Sequence, residues 1–323
     1  MRALRDLDLQ SDIVEVPLAW PGHVRSRAVA EEWSRIAADD GQGFVFGEAG
    51  DGPLIILLHG FPDTPHGWER IAAGLADAGY RAVSPWLRGY HPDTIVEGRP
   101  YDPVTIASDP ITFLDALGER DAILVGHDWG ASMVYGAATL YADRVRAIVP
   151  IAIPHPTLLP RNPATLWAAR HFLALKMPWA ESAVRRGDFA YLETLYRRWS
   201  PNWVGPARER SLADAKSAFA DERSLSGALD YYRALSPRPA PELARPPTAR
   251  GLVVGGTADI LDPDVYEQTA GLLGAGSDSL IVEGAGHWPH REGEEAFLAR
   301  LIQFVAEVDQ ADGASRSEES PPR

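Results

Sequence analysis

The sequence predicts an α/β fold: a mostly parallel, doubly wound sheet with a long helical insertion. Three observations predict it. Leu54-Ile55-Ile56-Leu57-Leu58, Ile123-Leu124-Val125 and Leu252-Val253-Val254 are apolar at every position, as in strands buried on both faces. Helical patterns alternate with these runs at the spacing of βα units. The alternation breaks at Pro154-His155-Pro156 and resumes at Ala249-Arg250-Gly251.

Taken in order, residues 1–42 read as an N-terminal extension. Within it, Asp12 to Val16 alternates like a strand and Val29 to Ala38 reads as a short amphipathic helix. Gly43 to Gly47 reads as an edge strand, followed by a turn at Ala49-Gly50-Asp51-Gly52. The strand Leu54–Leu58 stops at His59-Gly60-Phe61-Pro62, and a helix is expected over Pro65 to Ala78. Arg81 to Pro85 is a strand, 103–118 a helix with Ile106, Ile111, Leu114 and Leu117 on one side, and Val145 to Ile153 a further strand. Residues 155–245 contain helical stretches rich in Trp, Tyr, Arg and Ala, and no strand-like run. An insertion of about ninety residues is too long and too apolar for a loop. The core is therefore expected over 43–154 and 246–308, the sheet being interrupted after its sixth strand. A helix near 263–274, a strand from Ser279 to Val282 and an amphipathic helix through Phe297, Leu301, Phe304 and Val308 complete it. The polar tail 309–323 reads as disordered.

Composition narrows the partners. In 323 residues there are 31 basic and 45 acidic side chains, a formal charge of −14, which argues against nucleic acid and anionic membrane. With 0 cysteines, disulfides and thiolate chemistry are excluded. No run is long enough to span a bilayer, and a cytoplasmic location is expected. Monomer and homodimer both remain open.

The chemistry is concentrated at Gly126-His127-Asp128-Trp129-Gly130, which joins an apolar strand to a helical run. Gly-x-nucleophile-x-Gly at such a junction is the pattern of a nucleophile elbow. Asp128 stands where serine is usual, and a carboxylate attacking a saturated carbon leaves an alkyl ester on the enzyme. The competing reading makes Asp128 a helix cap. A nucleophile here needs an acid and a histidine later in the chain. Asp259 follows one strand and His287 the next, both at strand ends where open α/β sheets bind ligands. Asp262 and Asp264 read instead as the start of a helix. The N–H groups of Phe61 and Trp129 are placed to form an oxyanion hole, and His59 reads as holding the turn that carries Phe61. His287 and His290 form a His-x-x-His pair without an evident third ligand, so no metal is expected. Phe61, Trp129 and Met133 are expected to contact substrate.

His59-Gly60-Phe61-Pro62, Arg88-Gly89-Tyr90, Gly126-His127-Asp128-Trp129-Gly130 and Gly286-His287-Trp288 together resemble the epoxide hydrolases of the α/β-hydrolase superfamily. The resemblance covers about residues 44–305. It implies an α/β-hydrolase fold with a helical cap, a cofactor-free reaction on a small apolar epoxide and water, and two cap tyrosines that protonate the opened ring. Tyr232, in Leu229-Asp230-Tyr231-Tyr232-Arg233, matches the second tyrosine. Where the first is expected the chain reads Arg170-His171-Phe172-Leu173, and His171 takes the place. Tyr191 and Tyr196 are the other candidates for the missing donor. Haloalkane or haloacid dehalogenation uses the same aspartate and stays an alternative, as does a non-catalytic binding protein on the same fold.

Overall fold

The computed structural model describes residues 33–159, 163, 167, 169–236 and 240–318. Eight strands form one sheet: β1 (Ser34–Ala37), β2 (Gly43–Ala49), β3 (Leu54–Leu58), β4 (Arg81–Pro85), β5 (Ala122–His127), β6 (Val145–Ile151), β7 (Arg250–Gly256) and β8 (Asp278–Val282). Their order is β1-β2-β4-β3-β5-β6-β7-β8. The first two pairings are antiparallel, β1 on β2 and β2 on β4; all others are parallel.

The apolar strands divide their side chains between two layers. Ile56, Leu58 and Leu124 face one layer, while Ile55, Leu57, Ile123 and Val125 face the other. Period-two alternation thus persists inside runs that contain no polar residue. Helices α2 (Pro103–Leu117) and α3 (Trp129–Leu140) cover the first face. Helices α1 (Glu69–Asp77) and, at the C-terminus, α10 (Glu294–Glu318) cover the second. Asp102 caps α2 by accepting from the N–H groups of Val104 and Thr105, and Gly118 ends it at φ 72°. A Cβ on Gly136 would lie 2.5 Å from that of Ala107, so this glycine lets α3 lie close against α2.

Between β6 and β7 the described elements are helical: α4 (Arg170–Lys176), α5 (Ala180–Trp199), α6 (Pro206–Ala218) and α7 (Glu222–Arg233). This helical segment, where the sequence predicts a cap, touches the loops after β3, β4 and β8: Tyr196 donates to the Pro62 carbonyl, Gly227 lies against Gly89, and the Trp199 carbonyl accepts from His287 N–H. Helix α5 is broken at Gly187, Asp188 and Phe189, which have φ of 62°, 54° and 60°. Helix α7 rests on the loop after β4, where a Cβ on Gly227 would lie 2.5 Å from the Gly89 carbonyl oxygen. Two short helices follow β7 and β8, α8 (Asp264–Ala270) and α9 (Pro289–Glu292).

Three expectations need correction. Ser34–Ala37 is a strand, not part of a helix, because it pairs with Gly43–Phe46 through a hairpin turned at Gly41, φ 84°. Tertiary pairing outweighs the local amphipathic pattern. The sheet therefore starts before residue 43, and β2 is not an edge strand. The expected strand over 12–16 and positions 29–32 of the expected helix lie outside the described residues. The third correction concerns the tail, since α10 continues to Glu318. Arg146 binds Asp309 and Asp312, both at 2.6 Å, and the Tyr80 hydroxyl donates to Asp309 at 2.9 Å. These partners come from distant segments, so the tail's composition does not reveal them. Positions 319–323 lie outside the described residues. Among the described residues, no helix is long and apolar enough to cross a membrane.

Candidate active site

Asp128 lies between β5 and α3 with φ 53° and ψ −113°. An L-residue with positive φ is strained by about 1–3 kcal/mol, and the surroundings must hold it there. Three glycines make room. A Cβ on Gly126 would meet the Gly130 carbonyl, one on Gly130 would meet that of Leu58, and one on Gly60 would lie 2.5 Å from the Asp128 Cβ. The Asp128 side chain makes no capping hydrogen bond to α3, so the helix-cap reading fails.

Its two oxygens have different partners. Phe61 donates its backbone N–H to Oδ1 at 2.9 Å. Oδ2 lies 3.5 Å from His287 Nε2, and His287 Nδ1 lies 3.5 Å from Asp259 Oδ2. The imidazole thus stands between two carboxylates. Burial alone would lower its pKa, but Asp259 and Asp128 outweigh burial and push it up to about 10. Trp129 is the first residue of α3, where helix N–H groups lack intrahelical acceptors.

Asp259 has a support that sequence reasoning missed. Tyr266, on α8, donates its hydroxyl to Asp259 Oδ2 at 3.0 Å, and Ile260 N–H donates to Oδ1 at 2.6 Å. The one trace in the sequence is Gly255, since a Cβ there would run into the Tyr266 ring. Asp264 begins α8, and its N–H donates to Asp262.

The cap brings aromatic side chains over Asp128. The Tyr232 ring lies 5.4 Å from Phe61, 5.2 Å from Trp129 and 6.5 Å from His171. Tyr232 thus lies near the elbow, with His171 beside it. The neighbouring Tyr231 turns away and donates to the Arg88 carbonyl at 3.0 Å. Tyr196 is similarly committed, donating to the Pro62 carbonyl at 2.9 Å. Met133 borders a void of about 10 Å³, together with Leu58, Trp86, Leu87 and Arg88.

His59 holds the Phe61 turn. Its Nε2 accepts from Leu87 N–H at 3.1 Å, so Nδ1 carries the proton and donates to the Gly60 carbonyl, also at 3.1 Å. Burial lowers its pKa to about 3, which keeps it neutral. A second polar group lies beneath His287. Ligating atoms of Asp63, His127 and His290 fall within 4.8 Å of one another. The Asp63 oxygens already accept from Thr64 N–H and Trp288 Nε1–H, at 2.8 and 3.1 Å, and lie near Arg291. His127 Nε2 is 2.8 Å from the His287 carbonyl. The Asp63 oxygens and His127 Nε2 are thus engaged by the protein, whereas His290 Nδ1 is buried without a hydrogen-bond partner; the nearby guanidinium disfavours a cation.

A family model described as "Alpha/beta hydrolase family" matches residues 55–300. The chain belongs to this family. Among curated relatives of this alpha/beta hydrolase, one named epoxide hydrolase from Caballeronia sordidicola is 29% identical over 81% of this chain and 90% of its own. Another, epoxide hydrolase A of Mycobacterium tuberculosis, is 28% identical over 81% of this chain and 94% of its own. The solved epoxide hydrolase of Vigna radiata superposes with a TM-score of 0.69 at 23% identity, covering 85% of this chain and 98% of its own. That of an endophytic Streptomyces gives 0.68 at 25% identity, covering 86% and 96%. The resemblance found in the motifs thus extends over the α/β-hydrolase fold as a whole.

Proposed function

We propose that the protein is an epoxide hydrolase that forms and then hydrolyses an ester on Asp128. One observation carries this reading. A carboxylate, not a hydroxyl, stands at the strained elbow, with one oxygen on a backbone donor and the other facing a histidine–carboxylate pair. The names of the relatives over nearly their full length support it.

The steps follow from the geometry. Oδ2 of Asp128 attacks an epoxide carbon and the ring C–O bond breaks. The departing oxygen takes a proton from the Tyr232 hydroxyl, with His171 as the second donor. Oδ1 becomes the ester carbonyl oxygen, already on the Phe61 N–H. Ester formation neutralises one of the two carboxylates beside His287, so the pKa of its imidazole falls and Nε2 gives up its resting proton, which returns through solvent to the Tyr232 phenolate. Nε2 then accepts a proton from water, which attacks Cγ. Negative charge gathers on Oδ1, where the N–H groups of Phe61 and Trp129 stabilise it. Collapse breaks the Cγ–O bond to the substrate; the departing oxygen takes the proton of the newly added Cγ hydroxyl, which releases the vicinal diol, regenerates the carboxylate and leaves His287 protonated as in the resting enzyme. No cofactor enters these steps. A cytoplasmic location accompanies the proposal.

A single turnover in ¹⁸O-water, followed by mass spectrometry of the Asp128 peptide, tests the reading. Substrate-dependent label in the Asp128 carboxylate is expected. Diol formed without label would overturn the ester. Dehalogenation remains the second reading, because Trp129, Tyr232 and His171 gather where a halide would leave. Haloalkanes and haloacids assayed beside epoxides, with diol and halide both quantified, separate the two. Failure of every substrate to label Asp128 would leave the binding-protein reading.

A further inference from the structure

The loop that carries His287 is fastened on both sides of that residue, and the fastening runs to the cap. Glu292 Oε1 accepts from the backbone N–H groups of Gly286 and Trp288, at 3.0 and 3.2 Å. The same oxygen accepts from the Ser200 hydroxyl at 2.5 Å, directly after α5. His287 N–H donates to the carbonyl of Trp199, the last residue of α5, at 2.9 Å. A Cβ on Gly286 would lie 2.5 Å from the Ser200 Cα, so loop and cap meet backbone to backbone. The Trp199 ring lies 5.0 Å from that of His287 and 4.7 Å from that of His171. One half-buried carboxylate thus gathers the N–H groups flanking His287 together with a cap hydroxyl.

We propose that Glu292 is a positioning residue for His287, and that with Ser200 and Trp199 it forms a latch through which the seated cap sets the place of the base. The inference rests on the reading of His287 as the base in ester hydrolysis. His287 Nε2 must serve Asp128 Oδ2 in the resting enzyme and a water after ester formation. Its Nδ1 must at the same time keep Asp259. With both separations at 3.5 Å, a small shift of the loop breaks one of them. The attack on the epoxide needs only Asp128, Phe61 and the cap donors. The latch therefore governs breakdown of the ester more than its formation.

Glu292→Ala and Glu292→Gln test this. Both remove the charge, but only glutamine keeps an oxygen acceptor. In single turnovers with the ester quantified by mass spectrometry, Glu292→Ala slows ester hydrolysis about tenfold or more and barely changes ester formation. Glu292→Gln stays within about threefold of the parent enzyme in both steps. Equal slowing of both steps in Glu292→Ala, or equal behaviour of the two variants, overturns the latch. Ser200→Ala keeps Glu292 and removes the cap arm, slowing ester hydrolysis about threefold; an unchanged rate overturns the cap's part. An NMR titration of His287 in the resting proteins gives a readout independent of turnover. Its midpoint falls further in Glu292→Ala than in Glu292→Gln, because the ring drifts from Asp259 and Asp128. His127 also faces the ring and is common to all variants. If no protein, the parent included, shows an ester, the hydrolase reading fails. The titration still decides the latch: a lower midpoint in the alanine variant supports it, and equal midpoints overturn it.

Discussion

At the residue scale the site turns on a histidine held between two carboxylates. With its pKa pushed up to about 10, His287 is protonated in the resting enzyme at neutral pH. On the proposed mechanism it becomes a base only after Asp128 is esterified. His287→Gln is accordingly expected to accumulate the Asp128 ester, visible as a mass increase on the intact protein. Asp128→Asn should lose about 10⁴-fold in its first turnovers; wild-type activity from the first cycle would overturn the nucleophile. Tyr232→Phe should slow ring opening about a hundredfold, whereas Tyr231→Phe leaves ring opening nearly intact. Single-turnover rates measure both. The raised pKa of His287 also predicts a stability slope. The folded state binds a proton that the unfolded chain releases above about pH 6.5. The stabilisation is complete below that pH and is lost as pH rises toward 10, at up to about 1.4 kcal/mol per pH unit. Urea titrations across this window should show a slope in the parent protein that His287→Gln lacks.

At the scale of elements, each functional group is placed by a close approach of two backbones. The elbow works because Gly130 lets α3 begin against the Leu58 carbonyl, and because Gly60 admits Asp128. Gly130→Ala should therefore separate α3 from β3. It should destabilise by about 1–3 kcal/mol and move Asp128 off the Phe61 N–H. Thermal melts and single-turnover rates on the same sample check the two effects together. In the cap, Gly227 against Gly89 fixes α7, which decides that Tyr232 faces the elbow and Tyr231 faces the Arg88 carbonyl. Adjacent helical residues point about 100° apart, so one of the two had to turn away.

At the scale of the molecule, cap and core are joined through the loop after β4. Arg88 forms a buried ion pair with Asp109 of α2, their side chains 1% and 6% exposed, and its carbonyl holds Tyr231 of the cap. Removing one partner of a buried pair strands the other charge. Asp109→Ala is expected to destabilise by about 3–5 kcal/mol. It should also impair activity by loosening the seat of α7, and denaturant unfolding alongside turnover checks both.

Residue order and type alone made much of this legible. All-apolar strands require cover on both faces, which implied the sheet and its flanking helices. A Gly-Xaa-Asp-Xaa-Gly bend at a strand end has few uses, and that pointed to Asp128; Asp259 and His287 followed from their places after later strands. What depended on partners far along the chain was decided only by the tertiary structure. Ser34–Ala37 is a strand because Gly43–Phe46 lies beside it, and residues 309–318 are helical where Arg146 and Tyr80 bind their acidic side chains. Tyr266 behind Asp259 leaves only the trace at Gly255, and the bond from Ser200 of the cap to Glu292 has no local signature. Hydrogen bonds between distant segments follow three-dimensional packing, whereas periodicity and turn chemistry report only on near neighbours.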